Sequence, residues 1–156
     1  MKCYPRLLIL FLGISGACDN YPKDPEKTLE KITNSTLVVG YSANPPWVVP
    51  TDSIPTGLEP DLVRDFAKSR NAKIEWKNDT EQNLFEDLEQ HKVHLVIAGL
   101  TDDSPWKTKV ALTRSYAKEG KKKHVLAAIQ GENAFIVALE EFLHAQEKQM
   151  KAPAQP

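Results

Sequence analysis

The feature that most constrains the fold is an alternation of strand-like and helix-like segments along the chain. Leu95–Ala98 is a continuous apolar run, which is typical of a strand buried on both faces. Residues 73–77 alternate polar and apolar side chains with the period of a strand, whereas residues 60–70 space their apolar side chains at helical intervals. This order predicts an α/β fold with a mainly parallel sheet and helices on both faces.

Capping residues and apolar spacing predict the remaining elements. Asp24 followed by Pro25 predicts a short helix over residues 25–33, and Thr80 is expected to cap a helix that ends near Gln90. The other predicted elements are strands over 36–40, 110–113 and 123–129, a helical turn from Ser104-Pro105, and a final helix over 132–146.

Composition and charge exclude several classes of partner. The chain has 156 residues, of which 41% are hydrophobic, and 20 Lys and Arg stand against 21 Asp and Glu for a net charge of −1. A chain of this length buries roughly two-thirds of its unfolded surface, so it needs no disulfide or metal to fold. The balanced charge gives no general attraction to nucleic acid or to anionic lipid, so we expect no nucleic-acid partner.

The first eighteen residues have the pattern of a bacterial lipoprotein signal peptide. Lys2 and Arg6 precede an apolar run over 7–14, which is shorter than the ~20 residues of a transmembrane helix. The small residues 15–17 then lead into Cys18, and this segment resembles a lipobox whose cysteine is acylated, although Ser15 stands where leucine is preferred. We expect lipidation of Cys18 and a lipid-anchored location on the periplasmic side of the cell envelope; ordinary cleavage nearby is the alternative.

Three blocks carry a family resemblance. They read LVVGYSANPPW at 37–47, GLEPDL at 57–62 and DLEQHKVHLVIAGLT at 87–101. Together they resemble consecutive blocks of extracytoplasmic solute-binding proteins of the polar amino-acid type (bacterial solute-binding protein family 3), which are the capture components of ABC importers. The resemblance implies two α/β lobes joined by a hinge, with the solute clamped between them.

The hinge region of this sequence is short. Only residues 117–123 separate Tyr116, which resembles a hinge position, from the closing strand and helix. We therefore expect one periplasmic-binding-protein-like lobe, with the second lobe absent. The predicted organisation is a signal peptide at 1–17, a tether and short helix at 18–35, a solute-binding-like α/β lobe at 36–147 and a disordered tail at 148–156.

Ligands of such sheets bind beyond the carboxyl ends of the strands, which here are the loops at 41–47 and 99–107. Ser42 and Asn44 offer hydrogen bonds there, or simple turn roles. The backbone amide of Gly99 and the hydroxyl of Thr101 are candidates to hold a carboxylate, and the helix start at Ser104-Pro105 favours anions.

Two further site residues follow from the resemblance. It implies that Trp47, held after two prolines, packs against the solute through apolar or cation–π contact; a core tryptophan is the alternative. Lys107 occupies the position where amino-acid binders usually carry the arginine that grips the carboxylate, and lysine lacks the bidentate fork. A solvated charge is the alternative for Lys107.

Other polar residues favour structural roles. Glu59 and Asp61 resemble the acidic pair of the family, but they also suit the start of a helix. The basic stretch 118–124 is expected to be a solvated junction, or else a docking patch for an acidic partner. His91 and His94 have no third ligand nearby in the sequence, so we expect no metal site.

The sequence contains no Ser/His/Asp constellation, metal motif or phosphate-binding loop, so we expect neither an enzyme nor a cofactor. A dehydratase-like branch of the fold does chemistry, but its site lies between two lobes. The leading hypothesis is a membrane-tethered protein that captures a small polar, amino-acid-like solute for an ABC importer. The alternatives are a regulatory module that docks an ABC permease, a second subunit or another envelope partner, and an internally deleted remnant.

Overall fold

The computed structural model describes residues 24–151, with side chains up to residue 147. The predicted signal peptide, Cys18 and the last five residues lie outside this range. In chain order the elements are α1 (Thr28–Ile32), β1 (Thr36–Tyr41), α2 (Leu58–Ser69), β2 (Lys73–Asn78), α3 (Glu81–Glu89), β3 (Leu95–Ile97), a 3₁₀ helix (Pro105–Thr108), β4 (Ala111–Leu112), β5 (Ala117–Glu119), β6 (Lys122–His124), β7 (Ala127–Ala128) and α4 (Asn133–Lys151).

The central sheet has five strands in the order β2-β1-β3-β7-β4. β1 pairs in parallel with β2 on one side and with β3 on the other, so that Val39 lies between Trp76 and Leu95. β7 runs antiparallel to both β3 and β4, because a hairpin of β5 and β6 reverses the chain between β4 and β7. The predicted α/β class and mainly parallel sheet are confirmed.

Helices cover both faces of the sheet, and β3 shows why its sequence is apolar throughout. Leu95 and Ile97 point into a core cluster with α2 and α4, whereas Val96 points into a second cluster with α3. All three side chains are fully buried. The continuous apolar run therefore serves two layers, as a strand covered on both faces requires.

The N-terminal segment is fastened to the start of α4 by two carboxylates. Asp24 accepts a hydrogen bond from the Leu29 amide at 2.8 Å and one from the Phe135 amide at 3.4 Å. Glu132, which is 1% exposed, accepts from the Glu26 and Thr28 amides at 2.9 and 3.0 Å. We call the Asp24–Glu132 pair the terminal clasp. Burial and the neighbouring Glu132 raise the pKa of Asp24.

Several boundaries differ from the predictions. The first helix begins at Thr28 rather than at residue 25, and Lys27, not Asp24, is at its N-cap position. The predicted strand 123–129 is two strands, β6 and β7, and the predicted solvated junction is the β5–β6 hairpin with Gly120 at its turn. The final helix continues to Lys151 rather than ending near 146, because residues 147–151 contain no glycine or proline to end it. Within residues 24–151, no helix combines the length and apolarity needed to cross a membrane.

Candidate functional site

β1 and β3 end side by side, and the loops that follow them enclose an open depression of about 320 Å³. This is the edge of the sheet at which the strand order predicts a ligand. The residues that line the depression are Asn44, Glu81, Ala98, Gly99, Leu100, Thr101, Asp103, Ser104 and Pro105.

The depression brings together three of the six predicted ligand residues, namely Asn44, Gly99 and Thr101. The other three lie outside its lining. The Ser42 amide donates to the Ile97 carbonyl at 3.1 Å and so extends the pairing of β1 with β3. Lys107 is exposed on the 3₁₀ helix, and Trp47 packs against other side chains, as described below.

Asn44 and Gly99 fit each other closely. The side-chain amide of Asn44 donates to the Ala98 carbonyl at 2.7 Å, and its main chain exchanges two hydrogen bonds with Val48, at 2.9 and 3.0 Å. Gly99 has a positive φ of 62°, and a Cβ at this position would lie 2.5 Å from Asn44 Nδ2. Glycine is therefore required both by the backbone conformation and by the space that Asn44 fills.

The Gly99 amide is already paired. It donates to Glu59 Oε2 at 2.9 Å, and the Tyr116 hydroxyl donates to the other oxygen of the same carboxylate. This arrangement corrects the expectation that the Gly99 amide is open to a solute carboxylate. Glu59 does lie in the first turn of α2, as the sequence allows, but its side chain is fully buried beneath the loop that follows β3.

Burial dominates the electrostatics of this pair. Removal from water raises the pKa of Glu59 to about 7, although the hydrogen bonds from Tyr116, Gly99 and Ala98 oppose the increase. Burial, followed by the adjacent charge of Glu59, raises the pKa of the Tyr116 hydroxyl well above its usual range. Sequence reasoning missed this role; the signal was the position of Glu59 in the block GLEPDL.

Trp47 belongs to an aromatic group beside the depression. Its ring stacks on the His124 imidazole with centroids 3.7 Å apart, and it meets the Tyr116 ring edge-on at 6.1 Å. His124 is 2% exposed, and neither of its ring nitrogens has a hydrogen-bond partner among the described residues; Nε2 lies 3.5 Å from Glu119 Oε2. Trp47 is half-buried and packs against the core cluster that contains α2 and α4.

The charged side chains that line the depression, Glu81 and Asp103, are acidic. The Thr101 hydroxyl donates to Asp103 and lowers the pKa of this carboxyl, and the charges of Lys122 and Lys107 lower it further. Asp103 is therefore ionised at neutral pH. Across the part of the chain that the structure describes, no three His, Cys, Asp or Glu side chains are grouped to hold a metal ion.

Comparison with known proteins identifies a family that matches this chain. The model of the bacterial extracellular solute-binding proteins, family 3, matches residues 37–151. A curated relative, the "Probable histidine-binding protein" of Campylobacter jejuni subsp. jejuni serotype O:2, is 27% identical over 117 residues. The match covers 74% of this chain and 46% of the relative, so the chain spans about half the length of that protein.

Solved structures share the fold. A phenylalanine-to-tryptophan variant of arginine-bound domain 1 from TmArgBP, the ArgBP of T. maritima, superposes with a TM-score of 0.67 and 23% identity over 72% of this chain and 92% of that one. An ancestral cationic amino acid solute-binding protein superposes with a TM-score of 0.68 and 15% identity, over 78% of this chain and 94% of that one. The described residues thus have the architecture of one lobe. Because the family model matches most of its length, the chain belongs to the bacterial extracellular solute-binding proteins of family 3.

Proposed function

We propose that this chain captures a small amino-acid-like solute in the depression at the ends of β1 and β3, without chemical change, for delivery to an ABC importer. The observation that carries the proposal is the position of this depression. It lies where two adjacent parallel strands end, and polar side chains line it. The chain that forms it belongs to a solute-binding family.

A basic amino acid suits the depression best. Glu81 and the ionised Asp103 present negative charge to an ammonium or guanidinium group. The names of the relatives refer to solutes of this kind. They are histidine for the Campylobacter protein, arginine for the TmArgBP domain, and cationic amino acids for the ancestral protein.

A single lobe is sufficient for capture, but not for tight capture. The arginine-bound structure of an isolated domain 1 supports the idea that one lobe holds a solute. Closure of a second lobe excludes water and adds contacts, and the depression described here is open. We therefore expect weaker binding than that of a two-lobed clamp.

The test is calorimetric titration of the mature chain with arginine, histidine and lysine, and with glutamate as the acidic control. Basic solutes are expected to bind and glutamate is not. Asp103→Asn should weaken binding several-fold, whereas Asp102→Asn, which changes an exposed neighbour paired with Lys123, should not. Absence of heat and of a thermal shift with every millimolar solute would refute solute capture.

Membrane tethering forms a separate part of the proposal. It depends on acylation of Cys18, and the small residues before this cysteine support it. Expression of the full chain should place the protein in the membrane fraction with incorporated fatty acid. Cys18→Ser should release it; a variant that stays membrane-bound would contradict acylation as the anchor.

The β5–β6 hairpin favours a second candidate function, docking of an acidic envelope protein. Four of its lysines are exposed, namely Lys118, Lys121, Lys122 and Lys123. Affinity capture from membranes distinguishes the two functions. A stoichiometric protein partner that is retained whether or not solute is added, in a chain that binds no solute, would favour docking.

A further inference from the structure

We propose that Lys122, on the β5–β6 hairpin, supplies the positive charge that holds the carboxylate of the solute. The inference rests on the proposed function, because it concerns the same depression. It gives the hairpin a binding role, with Lys122 as a residue that selects solutes carrying a carboxylate.

Backbone pairing places the hairpin beside the binding loop. Thr101 and His124 form an antiparallel bridge, and the Asp102 amide donates to the Lys123 carbonyl at 3.0 Å. The side chains of Asp102 and Lys123 also meet, with 3.4 Å between Oδ2 and Nζ. Asp103, which lines the depression, lies in the turn that follows, where the Ser104 amide donates to the Thr101 carbonyl at 2.9 Å; Lys122 is the next residue of the hairpin on this side.

The alternation of side chains along β6 indicates the side on which Lys122 lies. Residues two apart on a strand share a face, so Lys122 is on the same face as His124, whose ring stacks on Trp47. Lys123 lies on the opposite face. The charge of Lys122 also lowers the pKa of Asp103, and it does so more than the charge of Lys107.

Two of the donors that the sequence predicts for a carboxylate are already paired within the protein. The Gly99 amide donates to Glu59, and the Thr101 hydroxyl donates to Asp103. Lys122 is exposed, and an ammonium has three donor hydrogens, so Asp103 and a solute carboxylate can share it. The solute ammonium then faces Asp103 and Glu81 while its carboxylate faces Lys122.

The experiment compares two solutes that differ only in the carboxylate. The mature chain is titrated with arginine and with agmatine, which is arginine without its carboxylate; histidine and histamine form a second pair. Lys122→Gln should weaken arginine binding by about tenfold but should not weaken agmatine binding, because agmatine has no carboxylate for Lys122 to hold. Lys121→Gln, an exposed lysine at the same turn, is the matched control and should bind both solutes as the wild type does.

The possible outcomes separate this inference from the proposed function. Equal arginine affinities for the Lys122→Gln and Lys121→Gln variants would overturn the role of Lys122 while solute capture stands. An equal loss of arginine and agmatine binding in Lys122→Gln would also overturn it, because the carboxylate would then not be the group recognised. A wild-type chain that binds neither pair would refute solute capture and this inference together. Circular dichroism of each variant checks that the fold is retained.

Discussion

At the scale of single residues, Glu59 connects two parts of the chain that lie far apart in sequence. Its carboxylate accepts from the Gly99 amide, 40 positions along the chain, and from the Tyr116 hydroxyl, 57 positions along. One side chain at the start of α2 therefore fixes both the loop after β3 and the segment that leads into the hairpin. Because the carboxyl group is fully buried, its ionisation affects the whole lobe.

The raised pKa of Glu59 predicts a pH-dependent stability. The folded chain holds this proton up to a pH of about 7, whereas the unfolded chain releases it near 4.5. The free energy of unfolding should therefore fall as pH rises through this window, by about 3 kcal/mol in total. Glu59→Gln keeps an acceptor for Gly99 and should abolish this part of the pH dependence.

Urea unfolding at pH 5 and pH 8 measures the effect. Glu75→Gln, which neutralises an exposed carboxylate on β2, is the control and should retain the pH dependence of the wild type. If the free energy of unfolding changes equally between pH 5 and pH 8 in the wild type and in Glu59→Gln, Glu59 does not titrate in this range.

Gly99 and Gly120 form a matched pair for substitution by alanine. Both have positive φ angles, 62° and 59°, but a Cβ at Gly120 meets nothing within 4 Å, whereas one at Gly99 overlaps the Asn44 side chain. Gly120→Ala should cost about 1 kcal/mol through backbone conformation alone, and Gly99→Ala about 1–3 kcal/mol more. Urea unfolding measures both changes. Equal losses of unfolding free energy in the two variants would mean that the Asn44 side chain moves aside without destabilising the protein.

At the scale of elements, the terminal clasp joins the first helix to the last. Glu132→Ala removes the acceptor of the Glu26 and Thr28 amides and should destabilise the lobe by about 2 kcal/mol. Hydrogen exchange of the Thr28 amide should accelerate with it. Glu30→Ala, on the exposed face of α1, should leave that amide protected. Unchanged exchange in Glu132→Ala would show that α1 is held by its apolar contacts alone.

The elements predicted correctly are those that local chemistry determines. Thr80 caps α3 as expected, with its side chain accepting from the Asn83 amide, because the capping residue and the helix are adjacent in sequence. The β5–β6 hairpin was missed because residues 117–124 show no apolar alternation. Its strands pair with each other, and β6 also bridges to the loop at 101–103, which is distant in sequence.

At the scale of the whole molecule, two core layers share one sheet. Trp106 stacks on Phe85 at 4.7 Å in the layer of α3, and Trp76 meets Tyr41 at 6.1 Å in the layer of α2 and α4. Because β3 contributes alternate side chains to both layers, neither layer should unfold alone.

Single-tryptophan variants test this cooperativity. One variant retains Trp106 and the other retains Trp76, with the remaining tryptophans replaced by phenylalanine. Within each variant, the fluorescence midpoint in urea should coincide with the midpoint from circular dichroism. A fluorescence transition that precedes loss of the helices in either variant would show that the layers unfold separately.

The position of the depression was predictable at this scale, but the contacts around it were only partly so. The strand-end rule located the depression, and Asn44, Gly99 and Thr101 line it. The pairing of Gly99 with Glu59 and the stacking of Trp47 on His124 join residues far apart in sequence, so no local pattern reveals them.

The terminal clasp holds the N-terminal segment at one end of the lobe. Asp24, Asn34 and Arg70 line one hollow at the edge where β1 and β2 begin, whereas the depression lies at the edge where β1 and β3 end. The chain from Cys18 to Asp24 reaches at most about 20 Å when extended. If Cys18 is acylated as proposed, the anchor would keep the first edge near the bilayer, with the depression at the opposite end of β1.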